Sequence, residues 1–170
     1  MVKTPLCNFC LKSGMLCPKC EARVKTGEIG ELDIRISRLL LRLEDKYPFL
    51  QNVQFYKAVE SGAILALLVD HGSLPMMLSY GGKIIREIND SLGMKVRILE
   101  HGGDLRKFYE DLVAPANVIT LNKIWLPDGS METRVVLSER GRRRLPVNIS
   151  ALKELSKKIR GITMRVEFEK

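Results

Sequence analysis

Four cysteines fall close together near the start of the chain, Cys7, Cys10, Cys17 and Cys20, as two Cys-x-x-Cys pairs separated by six residues. The segment that carries them, Met1 to Thr26, holds Pro5, Gly14, Pro18 and several lysines but no sustained hydrophobic periodicity. Such a stretch cannot build an apolar core unaided, so something other than side-chain burial must order it. Each short pair turns both sulfurs toward one point, and four thiolates suit a tetrahedral zinc ion with Zn–S near ~2.3 Å. Two disulfides, a redox Cys-x-x-Cys pair and an iron–sulfur cluster are the alternatives. Met1 to Leu6 lacks the apolar stretch of an export signal, which weighs against disulfides. Neither pair is expected to open a helix in a βαβ setting, which weighs against a thioredoxin-like site. Four protein ligands fill the coordination sphere and no histidine lies nearby, so one structural Zn2+ is expected rather than a catalytic ion.

The rest of the 170 residues, in a chain that is 45% hydrophobic and 28% charged, has the makings of packed cores. A formal net charge of +8 favours acidic partners, nucleic acid being the commonest, against the plainer reading of a basic solvated surface. The most apolar run, Ala63 to Val69, is far below the ~20 residues of a bilayer span and reads as a buried strand. A cytoplasmic protein outside the membrane is expected.

Periodicity divides the chain beyond Gly27 and Gly30 into elements. Leu32, Ile34, Ile36, Leu39, Leu40, Leu41 and Leu43 load one face of a helix that ends near Tyr47-Pro48. Val53 to Val59 and Gly62 to Val69 read as a hairpin turning at Glu60-Ser61. Ser73 to Leu78 predicts a short helix, Ser79 to Gly82 a tight turn, Lys83 to Leu92 a helix closed by Gly93, and Met94 to Leu99 a strand. The order then recurs. Asp104 to Val113 is helical, Val118 to Leu126 and Met131 to Leu137 flank the turn Pro127-Asp128-Gly129-Ser130, and a basic stretch from Glu139 to Leu145 precedes a helix to Ile159 and a strand Ile162 to Phe168.

Leu78 followed by Ser79-Tyr80-Gly81-Gly82, then Lys83, Ile85, Arg86, Ile88 and Leu92-Gly93, is the apolar residue, tight turn and amphipathic helix of one further pattern. With the six-element order, the stretch Leu67 to Ala116 resembles the first RNA-binding KH domain of the archaeal NusA-like transcription factors. Asp104-Leu105-Arg106-Lys107-Phe108, Ala114-Pro115-Ala116, Trp125-Leu126-Pro127-Asp128-Gly129 and Arg143-Arg144-Leu145-Pro146 extend the resemblance to about Glu28 to Lys170. The resemblance implies a turn whose small residues let the backbone of about four nucleotides approach closely, with Ser79 standing where the pattern has glycine. It marks Ser79, Tyr80, Gly81, Gly82, Lys83 and Arg86 as RNA-contacting.

The equivalent turn of the second repeat, Pro146-Val147-Asn148-Ile149, has no glycine, and Pro146 lacks an amide. RNA contact there needs another device. Arg140, Arg142, Arg143 and Arg144 supply one, since guanidinium forks bind phosphate bidentately, with Lys153, Lys157, Lys158 and Arg160 on the following helix in support. A solvated charged face is the rival reading. Tyr80, Tyr56 and Trp125 are candidates to stack on unpaired bases, with core packing the alternative. His71 and His101 read as structural, and Glu44-Asp45 as a solvated helix end. No P-loop, Rossmann fingerprint, HExxH or nucleophile elbow is present, so no enzyme is expected.

The expected fold is therefore α+β: two tandem type II KH-like domains (αββααβ each), 28–101 and 102–170, behind a small zinc knuckle or ribbon at 1–27. The resemblance implies an RNA-binding transcription elongation or termination factor that takes single-stranded RNA, with no membrane and no small-molecule substrate. The second reading is a protein-interaction module that docks on RNA polymerase or the ribosome, its degenerate turns no longer binding RNA.

Overall fold

Both cysteine pairs open helices, although neither does so in the βαβ setting of a thioredoxin-like site. In the computed structural model, which describes residues 1–62, 64–145 and 148–170, Cys7 caps α1 (Asn8–Ser13) and Cys17 caps α2 (Pro18–Lys25). The physical reason lies in the second pair: Pro18 at the first helical position fixes φ where no amide partner is needed, and the Cys17 sulfur accepts the Cys20 amide as a cap side chain would. Neither helix sits in a βαβ unit, because no strand leads into it.

The segment also borrows a core. Val2, Leu6 and Leu11 are buried, and α1 packs on α3 (Glu31–Glu44). Lys3 forms a parallel bridge with Gln54: its amide donates to the Val53 carbonyl at 3.0 Å and its carbonyl accepts from Phe55 at 2.8 Å. The Val2 amide donates to Glu44 at 3.0 Å, and Arg38 Nη2 donates to the Gly14 carbonyl at 2.8 Å. Glu44 is thus no solvated helix end but an anchor.

Helix α3 forms because its leucines and isoleucines recur at helical spacing, with Ile36 and Leu40 fully buried. Its third residue, Asp33, is buried and accepts from the Gly30 amide at 2.8 Å and, through the other oxygen, from the Ala58 amide at 2.7 Å. A helix start and a strand are thereby tied to one carboxylate. After a 3-10 turn at Pro48–Asn52 come β1 (Phe55–Ser61) and β2 (Ile64–Val69), the latter buried at every position. The hairpin turns two residues later than expected: Glu60 and Ser61 are in the strand, and Gly62 takes the left-handed φ of 59° that bulkier residues avoid. Ala63 lies outside the described residues. Then follow α4 (Ser73–Met77), a 3-10 turn at Tyr80–Gly82, α5 (Lys83–Leu92) and β3 (Lys95–Glu100), with sheet order β1-β2-β3. Helices α4 and α5 pack against β3.

The second sheet has order β4-β5-β6. Helix α6 (Leu105–Val113) leads into β4 (Val118–Trp125) and β5 (Met131–Ser138), which run antiparallel, and β6 (Met164–Glu169) lies parallel to β5. Val135 faces Leu121 on one side and Val166 on the other. A 3-10 helix at Glu139–Arg144 and α7 (Ile149–Arg160) intervene. Phe108, Tyr109, Leu112, Leu152, Leu155, Val135 and Leu137 form this core. Tyr109 donates its hydroxyl to Ser156 Oγ at 2.7 Å, and Ser156 passes its own proton to the Ile162 carbonyl at 3.1 Å.

Contacts divide the chain into two compact units, 1–58 with 66–101 and 59–65 with 102–170. The protein is α+β, with two small three-stranded sheets and a cysteine cluster near its N-terminus. Among the described residues no helix is long and apolar enough to cross a membrane.

Candidate metal and nucleic-acid sites

The two caps bring the four sulfurs of Cys7, Cys10, Cys17 and Cys20 within 4.8 Å of one another. Cys7 and Cys10 sulfurs are 3.3 Å apart and those of Cys7 and Cys17 3.8 Å, too far for the ~2.05 Å bond of a disulfide. A tetrahedron with ~2.3 Å metal–sulfur arms has edges of about 3.8 Å, so the cluster is close to what a metal ion takes. The Cys17 amide donates to Cys10 Sγ at 3.0 Å and the Cys20 amide to Cys17 Sγ at 3.5 Å, which favours thiolate character. The Cys20 amide and the Cys10 side chain hold Cys17 down at about 6, and the backbone of Cys10 also lowers Cys7. Burial pushes Cys10 up to about 12. Cys10 and Cys20 are buried while Cys7 is exposed, so the cluster sits at the surface with its inner ligands shielded. These four residues could hold a metal ion.

The Ser79–Gly82 turn lies in the first unit, between α4 and α5. Tyr80, Gly81 and Gly82 take three successive left-handed φ values of 57°, 65° and 76°. Gly81 and Gly82 are there for conformation and not for packing: a Cβ on Gly82 would meet nothing within 4 Å, and one on Gly81 only the end of Arg86, 3.9 Å away. The Cα faces of the two glycines therefore have room beside them, while the turn's own amides are used: Gly82 donates to the Ser79 carbonyl at 3.2 Å and Lys83 to the Tyr80 carbonyl. Ser79 donates to the Met76 carbonyl at 2.5 Å, and Arg86 Nη2 braces the turn by donating to the Gly81 carbonyl at 2.6 Å. Lys83 is exposed on the first turn of α5. Ser79, Tyr80, Gly81, Gly82, Lys83 and Arg86 are thus brought together. Nearby, Glu87 accepts from Lys46 at 2.5 Å and Tyr47 at 2.8 Å, and the Lys46 bond foremost holds its carboxyl below the usual range.

In the second unit Arg140, Arg142, Arg143 and Arg144 are all exposed, and with Ser138, Glu139 and Lys170 they line one hollow. Arg142 is partly committed: its Nε lies 2.9 Å from Glu139, and its guanidinium sits 4.1 Å over the Phe168 ring. The expected support from α7 divides in two. Lys158 pairs with Glu154 at 2.8 Å and donates to the Glu60 carbonyl at 2.8 Å, while Arg160 donates to the Gly102 and Gly103 carbonyls and lies 4.9 Å over Phe108. Both brace the unit. Lys153 and Lys157 are exposed. Of the second repeat's turn, Pro146 and Val147 lie outside the described residues.

Sequence reasoning missed Gly141. It is buried among the arginines, and a Cβ there would stand 3.0 Å from Ala116 Cβ, so any larger residue would push this helical turn away from Ala116 by a few tenths of an ångström. A single glycine inside an arginine run was the available signal. Among the aromatic candidates, Trp125 is 72% exposed and Tyr80 61%, while half-buried Tyr56 stacks on His101 with ring centres 4.1 Å apart. His71 contacts Glu100 at 3.2 Å.

No protein-family model matches the chain. Over 75 residues it is 29% identical to a probable transcription termination protein NusA of Methanocaldococcus jannaschii, a match covering 44% of this chain and 39% of that protein. The matched stretch thus spans well under half the length of that relative. The solved structure of APE1850 aligns with a TM-score of 0.51 at 18% identity, over 76% of this chain and 96% of that one. That likeness is one of fold alone.

Proposed function

We propose that the chain is a NusA-like RNA-binding protein, cytoplasmic and not an enzyme, that takes single-stranded RNA through two KH-like domains, 28–101 and 102–170. The residues 1–27 form its zinc module, with one structural Zn2+ held by the four cysteines, whose sulfurs already approach tetrahedral spacing. The observation that carries the RNA reading is the left-handed Tyr80-Gly81-Gly82 turn at the start of α5, whose glycines leave room for a sugar-phosphate backbone to come close at a helix N-terminus, where phosphate is favoured. The similarity to NusA and the four exposed arginines of the second unit support it. RNA is held by position and charge, with no bond made or broken.

The test is binding of single-stranded RNA at two salt concentrations. Gly82→Asp puts a side chain and a negative charge at the turn, and should weaken binding at both salts. Replacing Arg140, Arg143 and Arg144 by Gln should also weaken binding and flatten its salt slope, by about 0.7 in log K per log salt for each phosphate no longer neutralised. Unchanged affinity in both variants refutes the reading.

The second reading, docking on RNA polymerase or the ribosome, is favoured by Phe9 and Met15, 60% and 67% exposed on the cysteine segment. A partner held directly survives nuclease treatment of the lysate, whereas one tethered through RNA does not.

A further inference from the structure

We infer that Tyr80 and Phe49 form a shelf on which one unpaired nucleobase of the bound RNA stacks, a deepening that rests on the RNA reading above. The two rings are already stacked, centres 5.3 Å apart and planes 14° from parallel, and Tyr47 closes on Phe49 edge-on at 6.3 Å. Phe49 covers one side of the Tyr80 ring, and 61% exposure leaves the rest open. Pro75, Met76 and Ser79 continue the surface as a shallow apolar groove.

Backbone conformation argues that this exposure has a use. Tyr80 is the one described non-glycine residue with positive φ, at 57°, where glycine or asparagine would sit with less strain. A bulky ring is retained in that conformation, out of the core. Strain of this kind concentrates where a side chain must be presented.

The surroundings select the occupant. The groove has no enclosing walls, which suits a planar heterocycle laid on a ring better than a branched side chain that needs a pocket. Lys83 is exposed two residues after Gly81, and Glu87, which meets the Tyr47 hydroxyl, is paired with Lys46. The groove is lined by Phe49, Pro75, Met76, Ser79 and Tyr80 with no acid among them, which suits the face of a base. Stacking is indifferent to base identity, so the shelf adds affinity with little sequence preference.

The experiment compares a random-sequence single-stranded RNA of about twelve nucleotides with an abasic ribose-phosphate chain of the same length, by fluorescence anisotropy. Two variants are used. Tyr80→Phe keeps the ring. Tyr80→Asn removes it but accepts the left-handed backbone, so weakened binding does not reflect unfolding. Tyr80→Asn should weaken RNA binding about tenfold, within what one stacked base contributes, and leave abasic binding unchanged. Tyr80→Phe should match the wild type on both. Equal RNA affinity in Tyr80→Asn overturns the shelf while leaving the RNA reading intact, as does an equal loss on the abasic chain. Loss of a protein partner with RNA affinity unchanged also overturns it, making the patch a protein-docking surface. Failure of the wild type to bind RNA at all defeats both.

Discussion

Asp33 shows how much one side chain can carry. Its two oxygens answer the Gly30 amide that starts α3 and the Ala58 amide of β1, and the second of these bonds is buried. Removing the carboxylate leaves a buried amide with no acceptor, which costs more than the bond itself contributed. Asp33→Ala should therefore lower stability by about 2–3 kcal/mol, read as a shift in the urea midpoint with an unchanged m value, and Asp33→Asn, which keeps one acceptor oxygen, by roughly half of that. Nothing in the sequence distinguishes Asp33 from the other acids of the helix. Its two partners are a local amide and one 25 residues away, and only the second makes it more than an N-terminal charge. The same limit hid Glu44, whose partner is the Val2 amide.

Elements were more legible than their edges. Helices α3, α5 and α7 declared themselves by apolar spacing, the latter two also by the glycines Gly93 and Gly161, which take left-handed φ at their ends. Sequence also indicated the Pro127–Ser130 hairpin, where the Asp128 side chain accepts the Ser130 amide at 2.9 Å. The β1–β2 turn was misplaced because Glu60 and Ser61 look like turn residues; Ser61 is in fact buried and hydrogen-bonds to Glu154 at 2.7 Å. The caps of α1 and α2 were hidden because cysteine is an unusual cap. The role of Gly141, marked in the sequence only by its place inside an arginine run, was not legible for another reason: its neighbour Ala116 is brought in by tertiary packing. Gly141→Ala should destabilise the protein by about 1–2 kcal/mol and loosen the arginine turn, and Ala116→Gly in the same chain should restore the thermal midpoint. Additive losses in the double variant would show that the contact is not the cause.

For the whole molecule, the bearing question is whether the cysteine segment folds as a separate bead. Val2, Lys3 and Gly14 fasten it to Glu44, Val53, Phe55 and Arg38, all within the first unit. With the proposed Zn2+ bound, its removal by a chelator should accordingly speed amide exchange beyond residues 1–26, at β1 and α3 as well as at the cysteines; exchange confined to the segment would show the fastening to be slack.

Under the proposed zinc module and RNA-binding turn, that fastening would make metal supply a thermodynamic variable for the first unit. A ligand that binds only the folded form adds RT ln(1 + [L]/Kd), or about 1.4 kcal/mol for each tenfold rise in free ion above Kd. Through the Lys3 bridge this linkage reaches the start of β1 in the first unit. The protein's readiness for RNA would then follow the chemical potential of the metal in its surroundings, with no contact between ion and nucleic acid.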